Sequence, residues 1–202
     1  MLKLITSVVT LLIFSNALSA SDQNSQHAQK TLDIYRKVIS IPTVAGKGNV
    51  PEMANYLASE FYVAGFDKQD VNVIPNGETA ALVVRYRGSD SAMKPILLLG
   101  HMDVVEALPD DWQRHPFTLT QDDNYFYGRG TIDNKLGVTM LSSTFIRLKQ
   151  EGFIPNRDLI LAFSGDEETS MDTTIMLAKM PALLEAEYAL NSDAGGGDLD
   201  TQ

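Results

Sequence analysis

Three short polar clusters in this sequence each follow an apolar run. Leu99-Gly100-His101-Met102-Asp103 ends the run Pro95–Leu99. Ser164-Gly165-Asp166-Glu167-Glu168 follows Asp158–Phe163, and Asn191-Ser192-Asp193-Ala194-Gly195 follows Glu187–Leu190. A fourth cluster, Gly128-Arg129-Gly130-Thr131-Ile132-Asp133-Asn134-Lys135, stands just before an amphipathic stretch. One imidazole with several carboxylates is a donor set for a divalent ion that takes both nitrogen and oxygen, zinc foremost. Two adjacent glutamates allow a division of labour, one on a metal and one moving protons. Each cluster alone has a plainer reading. A His-x-Asp can be a capped turn, a glutamate pair a solvated helix start, and Gly195-Gly196-Gly197 a flexible turn. Their order, each at the end of an element, points to a site.

What the chain lacks narrows the chemistry. There is no cysteine among the 202 residues, which excludes disulfides, thiolate metal sites and thiol nucleophiles. Any metal must then be held by carboxylates and by His27, His101 or His115. Neither Gly-x-Ser-x-Gly nor His-Glu-x-x-His occurs, which disfavours a serine hydrolase and one large class of zinc enzymes. A formal charge of −10 and the lack of any basic run argue against nucleic acid and anionic lipid as partners, because phosphates need clustered Lys and Arg. With 44% apolar and 21% charged residues, the composition is globular rather than disordered or collagen-like.

The elements that must carry these residues follow from the apolar pattern. Three continuous apolar runs, rather than alternating ones, suggest strands buried on both faces, as in a parallel sheet. Two further strands are expected at Asp70–Ile74 and Ala80–Tyr86. Helices are expected from about Lys30 to Ser40, from Pro51 to Gly65, over Lys135–Gln150 and over Thr173–Lys179. In the helix over 135–150, Met140, Leu141, Thr144, Phe145 and Leu148 are assigned to the inner face. The expected fold is α/β, a mostly parallel sheet sandwiched by helices, with the ligand crevice at the carboxyl ends of the strands. Residues 21–30 are polar and expected to be frayed. Residues 1–20 resemble a signal peptide: Lys3, an apolar core from Leu4 to Phe14, and Ala17-Leu18-Ser19-Ala20 as the cleavage sequence. Export to the periplasm or medium is the expectation, with no membrane contact once residues 1–20 are removed.

GHMDVV, DDWQRHPF, YFYGRGTIDNKLG, LILAFSGDEE and NSDAGGG resemble, in order, the signatures of a two-zinc metallopeptidase family. That family includes acetylornithine deacetylase, succinyl-diaminopimelate desuccinylase, glutamate carboxypeptidase and several di- and aminopeptidases. The resemblance implies that His101, Asp133 and Asp193 hold one Zn²⁺, with Co²⁺ or Mn²⁺ as substitutes. It implies that Asp133 bridges to a second zinc held also by Glu168. It assigns Asp103 to orienting His101 and Glu167 to general base and acid, and it implies a cis Asp133–Asn134 peptide. The reaction implied is hydrolysis of an amide bond in a small peptide. Aspartate rather than glutamate at 193 inclines the reading to an aminopeptidase or dipeptidase. An N-acyl-amino-acid deacylase or carboxypeptidase, or an inactive fragment, is the alternative. In the family a late histidine completes the second metal site, after a smaller lid domain that also mediates dimerisation. The resemblance therefore reads residues 21–202 as the N-terminal part of a catalytic domain, with a homodimer possible only with the lid. Arg129 and Lys135 are read as possible neutralisers of the carboxylates, and His115 as a structural or surface residue.

Overall fold

The computed structural model describes residues 20–193, so nearly all of the signal-peptide segment, and Gly195–Gly197, lie outside the described residues. The elements run α1 (Ala20–Ser40), α2 (Val50–Val63), β1 (Val71–Asn76), β2 (Thr79–Tyr86), β3 (Ile96–His101), β4 (Thr120–Asp122), β5 (Tyr125–Tyr127), α3 (Lys135–Gln150), β6 (Leu159–Ser164), α4 (Asp172–Ala178), α5 (Pro181–Leu184) and β7 (Tyr188–Asn191). Five strands form one sheet in the order β1-β2-β6-β3-β7, and β4 pairs with β5 as a small separate hairpin.

The sheet is mixed. β3 runs parallel to both β6 and β7, whereas β2 pairs antiparallel with β1 and β6. The parallel half is the part that carries the polar clusters, because all three apolar runs lie in it. Alternation splits the central strands between two cores. Leu82, Val84, Leu161 and Phe163 face one side, with Ile34, Val38, Leu57, Phe61 and Phe145 of α1–α3. Ala81, Val83, Ile160 and Ala162 face the other, with Leu177 of α4. Each fully buried large side chain in such a core contributes roughly 1.5–3 kcal/mol. The helices therefore cover both faces, as an α/β sandwich requires.

Two expectations need correction. Residues 21–30 are helical, not frayed, because α1 is held by its neighbours rather than by its own propensity. Lys30 pairs with Glu60 of α2 at 2.5 Å, Arg147 of α3 donates to Asn24 at 2.9 Å, and His27 lies 3.7 Å from Glu151. The inner face of α3 is also different from the one expected. Met140 and Thr144 are exposed, whereas Lys135, Val138, Thr139, Ser142, Phe145 and Ile146 are buried. The rotation follows from contacts at the start of the helix: the Lys135 ammonium is drawn into the protein, and Gly137 lies against Ser192. No helix among the described residues is long and apolar enough to cross a membrane.

Candidate metal centre

Each carboxyl-end cluster of the parallel strands delivers one group to a common rim. His101 is the last residue of β3 and is 1% exposed. Its Nε2 lies 2.8 Å from Asp133 Oδ1, 3.8 Å from Asp193 Oδ2 and 4.0 Å from Glu167 Oε2. One ligand atom each from His101, Asp133 and Asp193 falls within 4.8 Å of the others. Asp133 precedes α3, and its peptide bond to Asn134 is cis. Asp193 leaves the end of β7. The rim is thus built from three separate parts of the chain.

Asp103 sits behind this trio, 3% exposed. Its carboxylate lies 3.3 Å from His101 Nδ1 and accepts the backbone N–H groups of Glu167 at 3.0 Å and Glu168 at 2.9 Å. The segment around it is tied down on both sides. Met102 N–H donates to Ser164 O, Val104 N–H to Thr43 O, and the Thr43 hydroxyl to Met102 O at 2.7 Å. Asp103 therefore locks the imidazole and the glutamate pair into one unit. Asp166, just before the glutamate pair, turns away and accepts Thr173 N–H of α4 at 3.1 Å and the Ser170 hydroxyl at 3.0 Å.

The electrostatics follow from this crowding. Burial pushes the His101 imidazole down, but hydrogen bonds and charge from Asp103 and Asp133 outweigh it and lift its pKa to about 9. Burial would raise the Asp103 carboxyl, but the His101 ring and the two backbone amides hold it below the ordinary range. Glu168 is raised, first by burial and then by the nearby Asp133 carboxylate. Glu168 is not one of the three converging ligands.

A divalent cation fits this donor set. The imidazole nitrogen and two carboxylates lie close enough to share one ion, and the Asp133 side chain is 60% exposed, so its oxygens can turn toward it. Among the described residues no lysine or arginine pairs with Asp133 or Asp193. Lys135 forms no ion pair with the carboxylates of the cluster. Its ammonium is fully buried and donates instead to Val38 O at 2.8 Å and Ile41 O at 2.6 Å. Burial pushes its pKa down to about 7, against the opposing field of Asp103. Arg129 donates to Glu106 O and lies 5.4 Å from the Trp112 ring. His115 is exposed and accepts Phe117 N–H at 3.2 Å, away from the trio. A cavity of about 270 Å³ opens beside the rim, with Leu97, Leu99, Ala162 and Leu177 as apolar walls and His101, Glu167 and Asp193 at its polar end.

Asn134 and Ser192 were not among the residues that the sequence singled out for the site, yet both touch it. Ser192 Oγ lies 2.9 Å from Leu99 O and 3.2 Å from Asn134 Oδ1. The sequence signal was available in Gly100 and Gly137. A Cβ at Gly100 would stand 2.9 Å from Asn134 Oδ1, and one at Gly137 would stand 2.5 Å from Ser192 Oγ.

An α/β sandwich that gathers a histidine and carboxylates at the rim of its parallel strands presents a candidate metal site. The particular family is shown by comparison. The chain belongs to Peptidase family M20/M25/M40, whose profile matches residues 97–199. It is 37% identical over 155 residues to a probable succinyl-diaminopimelate desuccinylase of Staphylococcus aureus, covering 75% of this chain and 36% of that protein. It is 42% identical over 99 residues to the probable carboxypeptidase S-like 2 of Dictyostelium discoideum, covering 48% of this chain and 18% of that protein. Against the human N-fatty-acyl-amino acid synthase/hydrolase PM20D1 it is 33% identical over 114 residues, 56% of this chain and 23% of that protein. The matches thus span between 18% and 36% of these curated relatives. In fold the chain is similar to the dipeptidase Dug1p of Saccharomyces cerevisiae, with TM-score 0.71 at 22% identity over 85% of this chain and 40% of that one. Human carnosine dipeptidase 1 gives TM-score 0.70 at 20% identity, over 84% and 39%.

Proposed function

We propose that this chain carries the metal-binding part of an active site that hydrolyses amide bonds in small peptides. The observation that supports it best is the convergence of His101, Asp133 and Asp193 within 4.8 Å, with Glu167 beside them and Asp103 behind. His101, Asp133 and Asp193 would hold one zinc ion; Asp133 and Glu168 would contribute to a second. A bound zinc supplies a water of pKa about 7 and polarises the scissile carbonyl. The chain's own residues do the rest. Asp103 keeps the imidazole oriented through Nδ1, so that Nε2 faces the rim. Glu167 takes a proton from the attacking water and returns it to the leaving amine nitrogen, a role worth roughly 10²–10⁴ in rate. The excess of carboxylates at the rim favours the cation over an anionic ligand there.

A second reading has support from the apolar cavity beside the rim and from relatives named as N-acyl-amino acid enzymes. In that reading the substrate is an N-acyl amino acid with its acyl group along Leu97, Leu99 and Leu177. Parallel turnover assays with free dipeptides and N-acyl amino acids separate the two. Export rests on residues 1–20, and N-terminal sequencing of protein from the periplasm or medium should find Ser21 first. A dimer built through a lid domain belongs to the same proposal.

The test of the central reading is Glu167→Gln in the full-length protein. The amide keeps the shape and cannot accept the proton, so turnover should fall by about 10²-fold or more, with bound zinc near the wild-type content. Loss of metal along with activity would make Glu167 a ligand and overturn the division of labour.

A further inference from the structure

One hydroxyl touches the segments that carry His101, Asp133 and Asp193. Ser192 precedes Asp193. Its Oγ lies 2.9 Å from Leu99 O, two residues before His101, and 3.2 Å from Oδ1 of Asn134, the residue after Asp133. Its backbone N–H also donates to Leu99 O at 3.0 Å. Asn134 is 1% exposed, so its amide is fixed by its surroundings rather than by water. Space for this contact is provided by two glycines. A Cβ at Gly100 would come within 3.0 Å of Ser192 Oγ, and one at Gly137 would come within 2.5 Å of Ser192 Oγ and 2.9 Å of Ser192 Cβ. Gly137 lies in the first turn of α3, where helix propensity alone favours alanine.

Resting on the metal-centre reading above, we propose that Ser192 is a positioning residue that sets the spacing of His101, Asp133 and Asp193. The hydroxyl lies within hydrogen-bond reach of Leu99 O on β3 and Asn134 Oδ1 just before α3, while the chain itself links Ser192 to the third carboxylate. Partners bonded directly to a metal ligand typically change metal affinity by about 10–100-fold when removed; Ser192 acts one residue further out, so the low end, about tenfold, is expected. The glycines serve the same end, because they let three backbones approach to the reach of one short side chain.

The test uses zinc and cobalt alone as probes on the full chain. Zinc affinity is measured by chelator competition, the visible spectrum is read on the cobalt-loaded protein, and thermal melting is followed on the metal-free protein. Ser192→Ala should weaken zinc by about tenfold and alter the cobalt spectrum. Gly137→Ala, which leaves the hydroxyl in place but displaces it, should act in the same direction although alanine suits the helix better. A serine that served only stability would lower the melting temperature of the metal-free protein and leave affinity and spectrum at wild-type values, and that result overturns the proposal. So does a Gly137→Ala protein with wild-type affinity and spectrum. A wild-type chain that binds neither ion overturns the metal-centre reading itself, and the positioning role with it.

Discussion

Replacing Asp103 by asparagine tests whether one buried carboxylate holds the site together. In the wild type its two oxygens accept Glu167 N–H at 3.0 Å and Glu168 N–H at 2.9 Å, and one also faces His101 Nδ1. Asparagine keeps one acceptor oxygen and presents an NH₂ where the other was. One charge-assisted bond, worth about 1.5–3 kcal/mol, is lost, and a buried backbone donor is left facing another donor at a cost of about 1–3 kcal/mol. The total is about 2.5–6 kcal/mol. For a domain of this size each kcal/mol moves the melting temperature by about 2–4 °C, so a drop of roughly 5–24 °C is expected. Zinc affinity should fall in parallel by about tenfold, the low end for such outer partners, since the ring loses the carboxylate charge beside Nδ1 but keeps the carbonyl of residue 103 at 3.1 Å. Scanning calorimetry on metal-free protein and chelator competition with zinc measure the two effects separately. A melting temperature within about 1 °C of wild type would refute the hydrogen-bond reasoning. Unchanged zinc affinity would refute the role of Asp103 toward His101.

Three further substitutions test other parts of the fold. Asp158→Asn should cost about 1–3 kcal/mol at neutral pH, because its carboxylate accepts Gly88 N–H at 2.7 Å and Arg85 Nη1 at 2.8 Å. Burial works to raise the Asp158 carboxyl, but those partners hold it below the ordinary value. Its stabilisation is therefore complete above about pH 4 and lost as pH falls through the lower folded value. Urea titrations should show the gap to wild type closing below about pH 4, and a gap that persists there would refute the assignment. Gly165→Ala would put a Cβ 2.3 Å from Ala80 O and 2.4 Å from Thr79 Oγ1; about 1–3 kcal/mol of destabilisation is expected in thermal melts, and a wild-type melt would contradict the packing. Lys135→Ala leaves a cavity and removes two donors from Val38 O and Ile41 O, so about 2–5 kcal/mol should be lost in urea titration; a change under about 0.5 kcal/mol would mean the ammonium does not bind α1.

The strands that carry the site were legible because their apolar runs are continuous and end abruptly. The expected Asp158–Phe163 is Leu159–Ser164 in the structure, and Lys135–Gln150 is reproduced as α3. The polar clusters that hold His101, Asp133 and Asp193 could be placed on one rim because each ends or precedes such an element, whereas the choice of those three as one ligand set was implied by the family resemblance. Pairing direction was not legible: residues 79–86 read as apolar whether they run parallel or antiparallel to β6. The polar start of α1 was misread because its helicity comes from partners far away in sequence. Lys135 was misjudged because a lysine beside aspartates suggests an ion pair, whereas its stem points across to the end of α1. The β4–β5 hairpin went unseen; three-residue strands leave too little pattern to read.

The strand order carries a consequence for how the chain must assemble. β6 enters the sheet between β2 and β3, two strands completed long before it in the sequence. Until residues 159–164 arrive, nothing joins β2 to β3 in the sheet, and each has a bare hydrogen-bonding edge. Such non-local pairings are intrinsically slow to form, and waiting edges invite pairing with other chains. Asp103 gains its two amide donors only when the chain has passed β6, and the third carboxylate arrives only after β7. A newly made chain therefore has its imidazole well before the carboxylates that would complete the proposed ion site, so an ion held there would join a fold already formed rather than nucleate it.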